Sequence, residues 1–339
     1  MKKKLLMTIL GIGLSTTLVC GKPKPLVSPD RYMLYENKGF IHTFRDRRTP
    51  MCVAEKYQNP AIIDLFSPSQ PIVQKPRFIV ENIENNLTFS HHFIGYGEAS
   101  RFACEKNSSV IHISTKTIVY KCEKELPNPE LSNTSVQLTV PLIKQKPELP
   151  RGCEVVSLAM MLHHAGVSVD KMQLANQIRQ NPRPWMERGG VTYFGDPDNG
   201  FVGDMYSLVN PGLGVYSHPV YELAVAYLGE QALHMTGAEF DTLLYQLRQG
   251  YPVWVLTNAK YQPLQPTDYE TWHTESGEIQ ISRWMHSVLV TGYDDRFIYF
   301  NDPLGKQTQA PRQRFREAWE QMGRQAISYV YPPSQASCL

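Results

Sequence analysis

The sequence lacks an excess of charge of either sign, since 34 lysine and arginine residues oppose 32 aspartate and glutamate residues in a chain of 339. That balance excludes an extended basic surface for nucleic acid. Neither a C-x-x-C pair nor an H-E-x-x-H motif occurs, so two common zinc-binding signatures are missing. Internal repeats and low-complexity runs are missing as well. The composition is that of a globular protein, and the chain is long enough to form one large domain or two medium domains, each with a hydrophobic core.

The N-terminus carries the pattern of an export signal. Three lysines in MKKKLLMTILGIGLSTTLVCGKP precede an apolar run over 5–19 that is short for a membrane span. We expect a signal peptide over 1–21, cleaved after Gly21, and a secreted or cell-surface protein that meets the membrane only through this segment. A lipid on Cys20 is the alternative, although Thr17 and Val19 match a lipoprotein signal poorly.

Cysteines are few, and those that follow Cys20 are Cys52, Cys104, Cys122, Cys153 and Cys338. An exported chain can oxidise them, and their odd number leaves at least one thiol unpaired. The sequence leaves the pairing among the other four open. Short apolar segments around Cys104 and Cys122 suggest neighbouring strands and favour that pair.

After the signal segment, the chain shows two different sequence patterns, one before and one after residue 135. Short apolar runs between polar clusters, such as RFIVENI and KTIVYKCEK, predict a β-rich domain over 22–135 that ends in the proline-containing linker ELPNPELSNTS. Over 136–332, helical patterns followed by strand patterns predict an α+β domain, and 333–339 form a tail. A Gly- and Pro-rich stretch over 181–214 is too irregular for one element, and we interpret it as a wall of a substrate site.

Cys153 begins a predicted buried helix that ends near Gly166, because most residues from 155 to 162 are apolar. A thiol at a helix N-terminus faces unsatisfied backbone amides and the positive end of the helix dipole, which favour the thiolate. Gly152 leaves backbone room beside the sulfur, and Pro150 ends the preceding extended segment. Core filling requires neither residue, so the position indicates a nucleophile.

A nucleophilic thiol needs a proton-transfer partner, and His286 is the best candidate because it begins the apolar strand HSVLVTGY. A DD turn reverses the chain into RFIYFNDP. Facing residues of an antiparallel hairpin have a constant sum of numbers, which predicts Asp302 opposite His286, where it can orient the imidazole. Upstream, Gln145 is a candidate to donate its side-chain amide to an oxyanion, together with the backbone N–H of Cys153.

These segments resemble the papain clan, and more narrowly the secreted branch of the bacteriocin-processing peptidases that act on double-glycine leaders. The similar segments are VPLIKQKPELPRGCEVVSLAMMLHHAGV, TWHTESGEIQISRWMHSVLVTGYDD, YFNDPLGKQ and FREAWEQMGRQAISY, within 136–331. The resemblance implies a papain-like α+β fold and no metal or organic cofactor. The roles that it implies are Cys153 as nucleophile, His286 as general base and then acid, Asp302 as orienting residue, and Gln145 in the oxyanion hole.

Two features depart from the family pattern. The clan's glutamine usually lies nearer the nucleophile, whereas here the offset is 153 − 145 = 8 and Pro147 stands in between. Transporter-linked members carry a transmembrane bundle and a phosphate loop, which do not follow here, so we do not expect cleavage of double-glycine leaders during export.

The chemistry expected from these residues is that of an exported cysteine peptidase, which hydrolyses a peptide or protein substrate through a thioester acyl-enzyme. The same triad would serve a cell-wall peptide amidase or acyl transferase, and muropeptide digestion would distinguish these activities. A non-catalytic surface binding protein is a third interpretation, and the presence of every catalytic residue type argues against it.

Overall fold

The computed structural model describes residues 32–36, 39–44, 60–64, 72–73, 77–84, 87–122 and 135–331, with the backbone alone for the first four segments. The predicted signal peptide, Cys20, Cys52, Cys338, the tail and most of the predicted linker lie outside these residues. Predictions about them are therefore neither confirmed nor contradicted.

Most helices in the described part of the chain lie after residue 150. The helices are α1 (Tyr96–Glu105), α2 (Cys153–His164), α3 (Lys171–Gln177), α4 (Ser217–Leu228), α5 (Phe240–Arg248) and α6 (Arg312–Gln321), with short 3₁₀ turns at Gly229–Gln231 and Pro266–Asp268. Within the part of the chain that is described, none of these helices has the length and apolar character needed to cross a membrane.

Strands occur along the whole described chain. They are β1 (Tyr32–Glu36), β2 (Gly39–Phe44), β3 (Pro60–Asp64), β4 (Ile72–Val73), β5 (Phe78–Glu84), β6 (Leu87–Phe93), β7 (Ser109–His112), β8 (Ile118–Lys121), β9 (Val136–Gln137), β10 (Gln180–Asn181), β11 (Met186–Arg188), β12 (Val191–Tyr193), β13 (Phe201–Val202), β14 (Ala232–His234), β15 (Val253–Asn258), β16 (Glu270–Thr274), β17 (Gly277–Ile281), β18 (Met285–Tyr293), β19 (Phe297–Asn301), β20 (Gln309–Pro311) and β21 (Ala326–Tyr329). The prediction of an α+β fold is confirmed.

A seven-stranded sheet in the order β14-β21-β15-β18-β19-β20, with β9 paired to β18, forms the centre of the second half. Its middle strands are buried on both faces, which explains why β15 is an almost continuous apolar run rather than an alternating one. Trp254 and Leu256 face the core that contains α2, while Val253 and Val255 face the core that contains α5 and α6. The central strand β18 is therefore fixed between two packed layers.

The helix predicted to start at Cys153 is confirmed, and it is one of the most buried elements of the chain. Every residue from Cys153 to Leu162 is buried, and the chain leaves the helix through Gly166, which has the left-handed φ of 77°. The next helix, α3, is short. Asp170 caps α3 by accepting the Met172 N–H at 2.7 Å, and the backbone turns to extended geometry at Ile178.

The predicted strands of the region before 135 are confirmed between 78 and 121, where they form the sheet β6-β5-β7-β8. Helix α1 was not predicted there. It carries Cys104, which forms a disulfide with Cys122 just after β8. The favoured pairing is thus confirmed, but the bridge joins a helix to a strand end rather than two neighbouring strands.

This smaller sheet shares an apolar core with the second half of the chain. Phe78, Val80 and Tyr96 belong to the same buried cluster as Leu243 and Leu244 of α5. At its centre, the carbonyl of residue 119 accepts hydrogen bonds from the hydroxyl of residue 96 and the side-chain amide of residue 246, each at 2.8 Å. A domain boundary at 135/136 stays a prediction, and any separation there would expose part of this common core.

Candidate active site

Cys153 is the first residue of α2, and only 7 % of it is exposed. Of the cysteines in the described part of the chain, it is the one that is a free thiol. The preceding turn needs a glycine: the Gly152 N–H donates to the Leu149 carbonyl at 3.0 Å, and a Cβ on Gly152 would lie 2.6 Å from the Leu149 Cβ. The glycine next to the predicted nucleophile therefore sets the approach of the chain into the helix.

The thiol of Cys153 is harder to ionise than its place in the sequence suggests. Burial raises the pKa of Cys153 well above its ordinary value, and the neighbouring Glu154 carboxylate, which accepts the Sγ–H at 3.2 Å, raises it further. A backbone N–H donated by Ser287 of β18 acts in the opposite direction. We expected a helix end that favours a resting thiolate; in this environment the thiol keeps its proton until a base removes it.

His286, the predicted base, is the second residue of β18. Its Nε2 lies 2.8 Å from Asp302 Oδ1, and the two side chains are 4 % and 1 % exposed. Because the carboxylate holds Nε2, Nδ1 is the ring nitrogen that remains for the thiol proton. The next residue of the same strand, Ser287, reaches the Cys153 sulfur with its backbone N–H, so β18 brings the imidazole to the nucleophile end of α2.

Asp302 is held as an anion by the turn that follows β19. The Leu304 N–H donates to Oδ1 at 2.8 Å, and the Lys306 and Gln307 N–H groups donate to Oδ2 at 3.2 and 3.3 Å. Burial on its own would raise the pKa of Asp302, but the hydrogen bond and charge of His286, together with these amides, hold it below its ordinary value. Asp302 is charged at neutral pH and can orient the imidazole.

The predicted hairpin is correct in its face and wrong in its register. β18 and β19 pair with Leu289 opposite Asn301 and Val290 opposite Phe300, and a bulge follows. If this pairing is continued by one residue, Asp302 lies opposite position 288 of β18. His286 itself pairs with a residue of β15, the neighbour of β18 on the opposite edge. Positions 286 and 288 share one face, and a diagonal neighbour remains within reach of a long side chain. The contact therefore forms despite the shifted register.

Gln145 is buried close to this centre, but its amide is already engaged. Its Nε2 donates to the Leu149 carbonyl at 3.1 Å and to the Pro150 carbonyl at 2.8 Å, while its backbone N–H donates to the Pro303 carbonyl at 2.9 Å. An amide nitrogen has two hydrogens, and both point to these carbonyls. Gln145 thus fixes the segment before α2 against the turn after β19. Its role as an oxyanion donor stays a prediction that requires one of these bonds to be exchanged.

The stretch that we interpreted as a substrate wall is tied to the start of α2 by Arg151. The Arg151 guanidinium donates to the backbone carbonyls of Asp204 at 3.1 Å, of Ser207, and of Leu208 at 3.3 Å, and its N–H donates to the Met205 carbonyl at 3.1 Å. This segment is therefore fixed two residues from the candidate nucleophile. The exposed large apolar side chains of the whole 181–214 stretch are Trp185, Met186, Tyr206, Leu208 and Val209.

Sequence reasoning missed three residues around the thiol and the imidazole, namely Arg151, Glu154 and Tyr261. The Tyr261 ring packs edge-on against His286 with 6.2 Å between ring centroids, and its backbone has φ 50°, a strained conformation for a residue with a side chain. No local pattern predicts that contact. Glu154 did leave a signal, because an acidic residue in a helix that is otherwise buried needs a partner.

A thiol, an imidazole and a carboxylate in series can transfer a proton from a nucleophile and return it to a leaving group. The described residues contain no group of three or more His, Cys, Asp or Glu side chains placed to hold a metal ion. The arrangement thus offers nucleophilic and acid–base chemistry from the chain's own side chains.

Comparison with known proteins identifies the family of this chain. Residues 137–327 match the model of the Peptidase_C39 like family. The chain is 45 % identical over 201 residues to the uncharacterized protein YvpB of Bacillus subtilis strain 168, covering 58 % of this chain and 77 % of YvpB. It is 44 % identical to a Bacillus anthracis protein whose crystal structure is described as that of a candidate C39-like peptidase. The two structures superpose with a TM-score of 0.55, and the match covers 58 % of this chain and 98 % of the other chain. The match extends over more than half of the chain, which therefore belongs to the Peptidase_C39 like family.

Proposed function

We propose that this protein is an exported cysteine peptidase that uses Cys153 as nucleophile, His286 as general base and acid, and Asp302 as orienting carboxylate. The family to which the chain belongs is one of C39-like peptidases, which supports peptide-bond chemistry. The observation that carries the proposal is the buried hydrogen bond of 2.8 Å between His286 and Asp302. His286 lies on β18, and the backbone N–H of the next residue on that strand, Ser287, reaches the Cys153 sulfur.

The proposed reaction begins with proton transfer from Cys153 Sγ to His286 Nδ1 as the sulfur attacks the substrate carbonyl. The C–N bond then breaks, His286 returns the proton to the leaving amine, and a thioester remains on Cys153. Water, deprotonated by the same imidazole, cleaves the thioester and restores the thiol. Asp302 keeps its charge throughout and stabilises the imidazolium that forms at each step.

Negative charge on the substrate oxygen needs donors near the sulfur. The first amides of an α-helix have no partner within the helix, so the N–H of Cys153 is one such donor. Gln145 is the second in our proposal, as the resemblance implies. Its amide would have to exchange a bond to one of the two carbonyls that it now contacts.

The experiment that tests this function is digestion of a diverse peptide mixture by the purified full chain, with products read by mass spectrometry. The control is Cys153→Ala, which keeps the fold and removes the nucleophile. New peptide termini with the parent chain and none with the variant support a peptidase. Products from muropeptides alone would replace it by a cell-wall amidase or transferase, and no products from either substrate would refute the enzymatic assignment.

Export is a second part of the proposal, and it is supported by the lysine-rich and apolar pattern of residues 2–19. N-terminal sequencing of the native protein tests it. A mature chain that begins near Lys22, recovered outside the cytoplasmic membrane, supports the proposal. An intact Met1 in protein from the cytosol contradicts it.

A further inference from the structure

Glu154 directly follows the nucleophile and is completely buried. One carboxylate oxygen, Oε2, accepts the Cys153 Sγ–H at 3.2 Å, and the other, Oε1, accepts the backbone N–H of Val215 at 3.0 Å. Its own backbone carbonyl accepts the indole N–H of Trp254 at 3.0 Å. The carboxyl group is thus held beside the sulfur by the Val215 amide, and the backbone of the same residue is held by Trp254.

The space for this carboxyl group depends on Gly214. A Cβ at that position would lie 2.1 Å from Glu154 Oε1 and 2.5 Å from the terminal methyl of Met285, and Gly214 has a φ of 152°. Any other residue there would push the carboxyl group away from the sulfur. Among the described residues, no lysine, arginine or histidine forms an ion pair with Glu154, so its charge is not balanced by a cation.

Three further titratable groups surround the Cys153–Glu154 pair. They are His286 on β18, Asp302 after β19 and Tyr261 after β15. Asp302 and Tyr261 bring no positive charge, and His286 is held by Asp302 on its far nitrogen. The β15 segment VWVLTN has no titratable side chain, and 213–215 contribute a backbone amide only.

Charged groups on the other elements that touch α2 have partners elsewhere. Lys171 of α3 pairs with Glu148 at 2.7 Å, and Glu222 of α4 pairs with His218 and Arg179. The guanidinium of residue 151 is directed at carbonyls of the 204–208 segment. The thiol and the carboxyl group are therefore each other's nearest proton partners on this side of the site.

We propose that Glu154 is a second proton partner of Cys153: the two groups share one negative charge, and Cys153 is the better nucleophile when Glu154 holds the proton. In this exchange the Sγ–H bond breaks and an O–H bond forms on Oε2, with no other bond altered. This inference rests on the proposed function in one respect only, namely that Cys153 acts as a nucleophile.

The electrostatics agree with the geometry. Burial raises the pKa of Glu154 to about 7, and the Val215 amide only partly opposes that shift. Two acids in contact cannot both ionise freely, so their titrations are coupled and belong to the pair. Above neutral pH, an ionised Glu154 opposes the thiolate; below it, a protonated Glu154 can donate a hydrogen bond to the thiolate sulfur.

The test compares the rate at which iodoacetamide alkylates Cys153 across pH in the parent chain and in Glu154→Gln. Glutamine keeps the bond to the Val215 amide and offers an N–H to the sulfur, but it cannot ionise. We expect the alkylation midpoint to fall by at least about one pH unit, a tenfold gain in thiolate at a fixed pH on the rising limb. The matched control Glu148→Gln removes an exposed carboxylate nearby and should shift the midpoint by less than about 0.3 unit.

An unchanged midpoint in a folded Glu154→Gln would overturn the inference. If that variant does not fold, infrared titration of the parent's protonated carboxyl band decides the question, because coupling is reciprocal. Alkylating Cys153 removes the thiol that donates to Oε2, so it should then move the band's midpoint to higher pH, and an identical midpoint before and after contradicts the coupling. Loss of coupling with intact peptide hydrolysis refutes this inference alone, whereas coupling without hydrolysis refutes the peptidase proposal alone.

Discussion

Two regions meet at Cys153, the start of α2 and the turn after β19, and each contributes a buried carboxyl group with the opposite electrostatic character. Asp302 receives three backbone N–H groups and a histidine, and its pKa is held below the ordinary value. Glu154 receives the Val215 N–H, its own backbone N–H and a thiol, and burial still raises its pKa to about 7. Exposure does not separate them, since the two residues are 2 % and 0 % exposed.

The difference shows that burial raises the pKa of both carboxyl groups, and that only the donors around Asp302, a histidine and backbone amides, outweigh it. A permanent anion beside His286 suits the orientation of an imidazole and the stabilisation of its charged form. A carboxyl group that titrates near neutral pH suits the exchange of a proton with the neighbouring thiol. One cysteine is thus placed between a fixed charge and a variable one.

The largest effects should come from the nucleophile and the fixed charge. Cys153→Ala should lower peptide hydrolysis to background, because no other group can form the acyl-enzyme. Asp302→Asn keeps the side-chain shape and should leave measurable activity, reduced by roughly a hundredfold or more in kcat/KM. Steady-state assays on one cleaved peptide measure both. Equal activity of Asp302→Asn and the parent would mean that the fixed charge does not matter.

The next effect concerns stability against pH, where the two carboxyl groups should act in opposite directions. The pKa of Glu154 is raised from 4.5 to about 7 in the folded chain, so its contribution is fully present below pH 4.5 and is lost as pH rises through 7, by about 3 kcal/mol in the free energy of unfolding. The pKa of Asp302 is lowered, so its contribution is lost as pH falls below its ordinary value of 3.8.

Denaturant unfolding at a series of pH values measures both trends. Glu154→Gln should remove the loss of stability between pH 4.5 and 7, and Asp302→Asn should remove the loss at acid pH. Glu148→Gln, at an exposed site that pairs with Lys171, should leave the loss between pH 4.5 and 7 unchanged. The comparison of the two regions is broken if the parent and Glu154→Gln lose stability in parallel over the neutral range.

A smaller effect is expected at Gln145, which touches the start of α2 and the turn after β19. As an oxyanion donor, Gln145→Ala should lower the rate of hydrolysis by about tenfold or more, the scale of one such donor. Alkylation of Cys153 by a haloacetamide builds no oxyanion and should hardly change. Falling hydrolysis and alkylation together, with a lower melting temperature, would instead mean that the residue only supports the 149–150 carbonyls.

Sequence could predict the parts of the site that local rules control. The buried run after Cys153 fixes a helix start, and a hairpin brings a carboxylate back towards His286 without knowledge of the rest of the fold. The turn register and the bulge after Val290 could not be predicted. The turn alone would place Asp302 opposite position 289, and the bulge shifts the pairing by one residue to position 288, which makes Asp302 a diagonal neighbour of His286. The contact between His286 and Asp302 was nevertheless predicted correctly, because positions 286 and 288 lie on the same face of the sheet.

Contacts between distant segments were beyond sequence reasoning. Val215, Tyr261 and Arg151 lie in loops, and only the folded chain brings them to the thiol, the imidazole and the 204–208 segment. Helix α1 was missed because Gly95 precedes it without a side-chain cap and most of its buried residues, Gly97, Ala99, Ser100 and Ala103, are small. The disulfide that α1 forms was therefore anticipated as a pair of cysteines, while the elements that it joins were not.

The most direct test of the central claim is the rate of Cys153 alkylation against pH in the parent chain and in His286→Ala, since it requires no knowledge of the substrate. If His286 accepts the thiol proton, the variant should react at least about tenfold more slowly near neutral pH and recover only at high pH, where hydroxide removes the proton. If His286→Ala reacts like the parent across the whole range, Cys153 and His286 do not form a functional pair, and the proposed mechanism is contradicted.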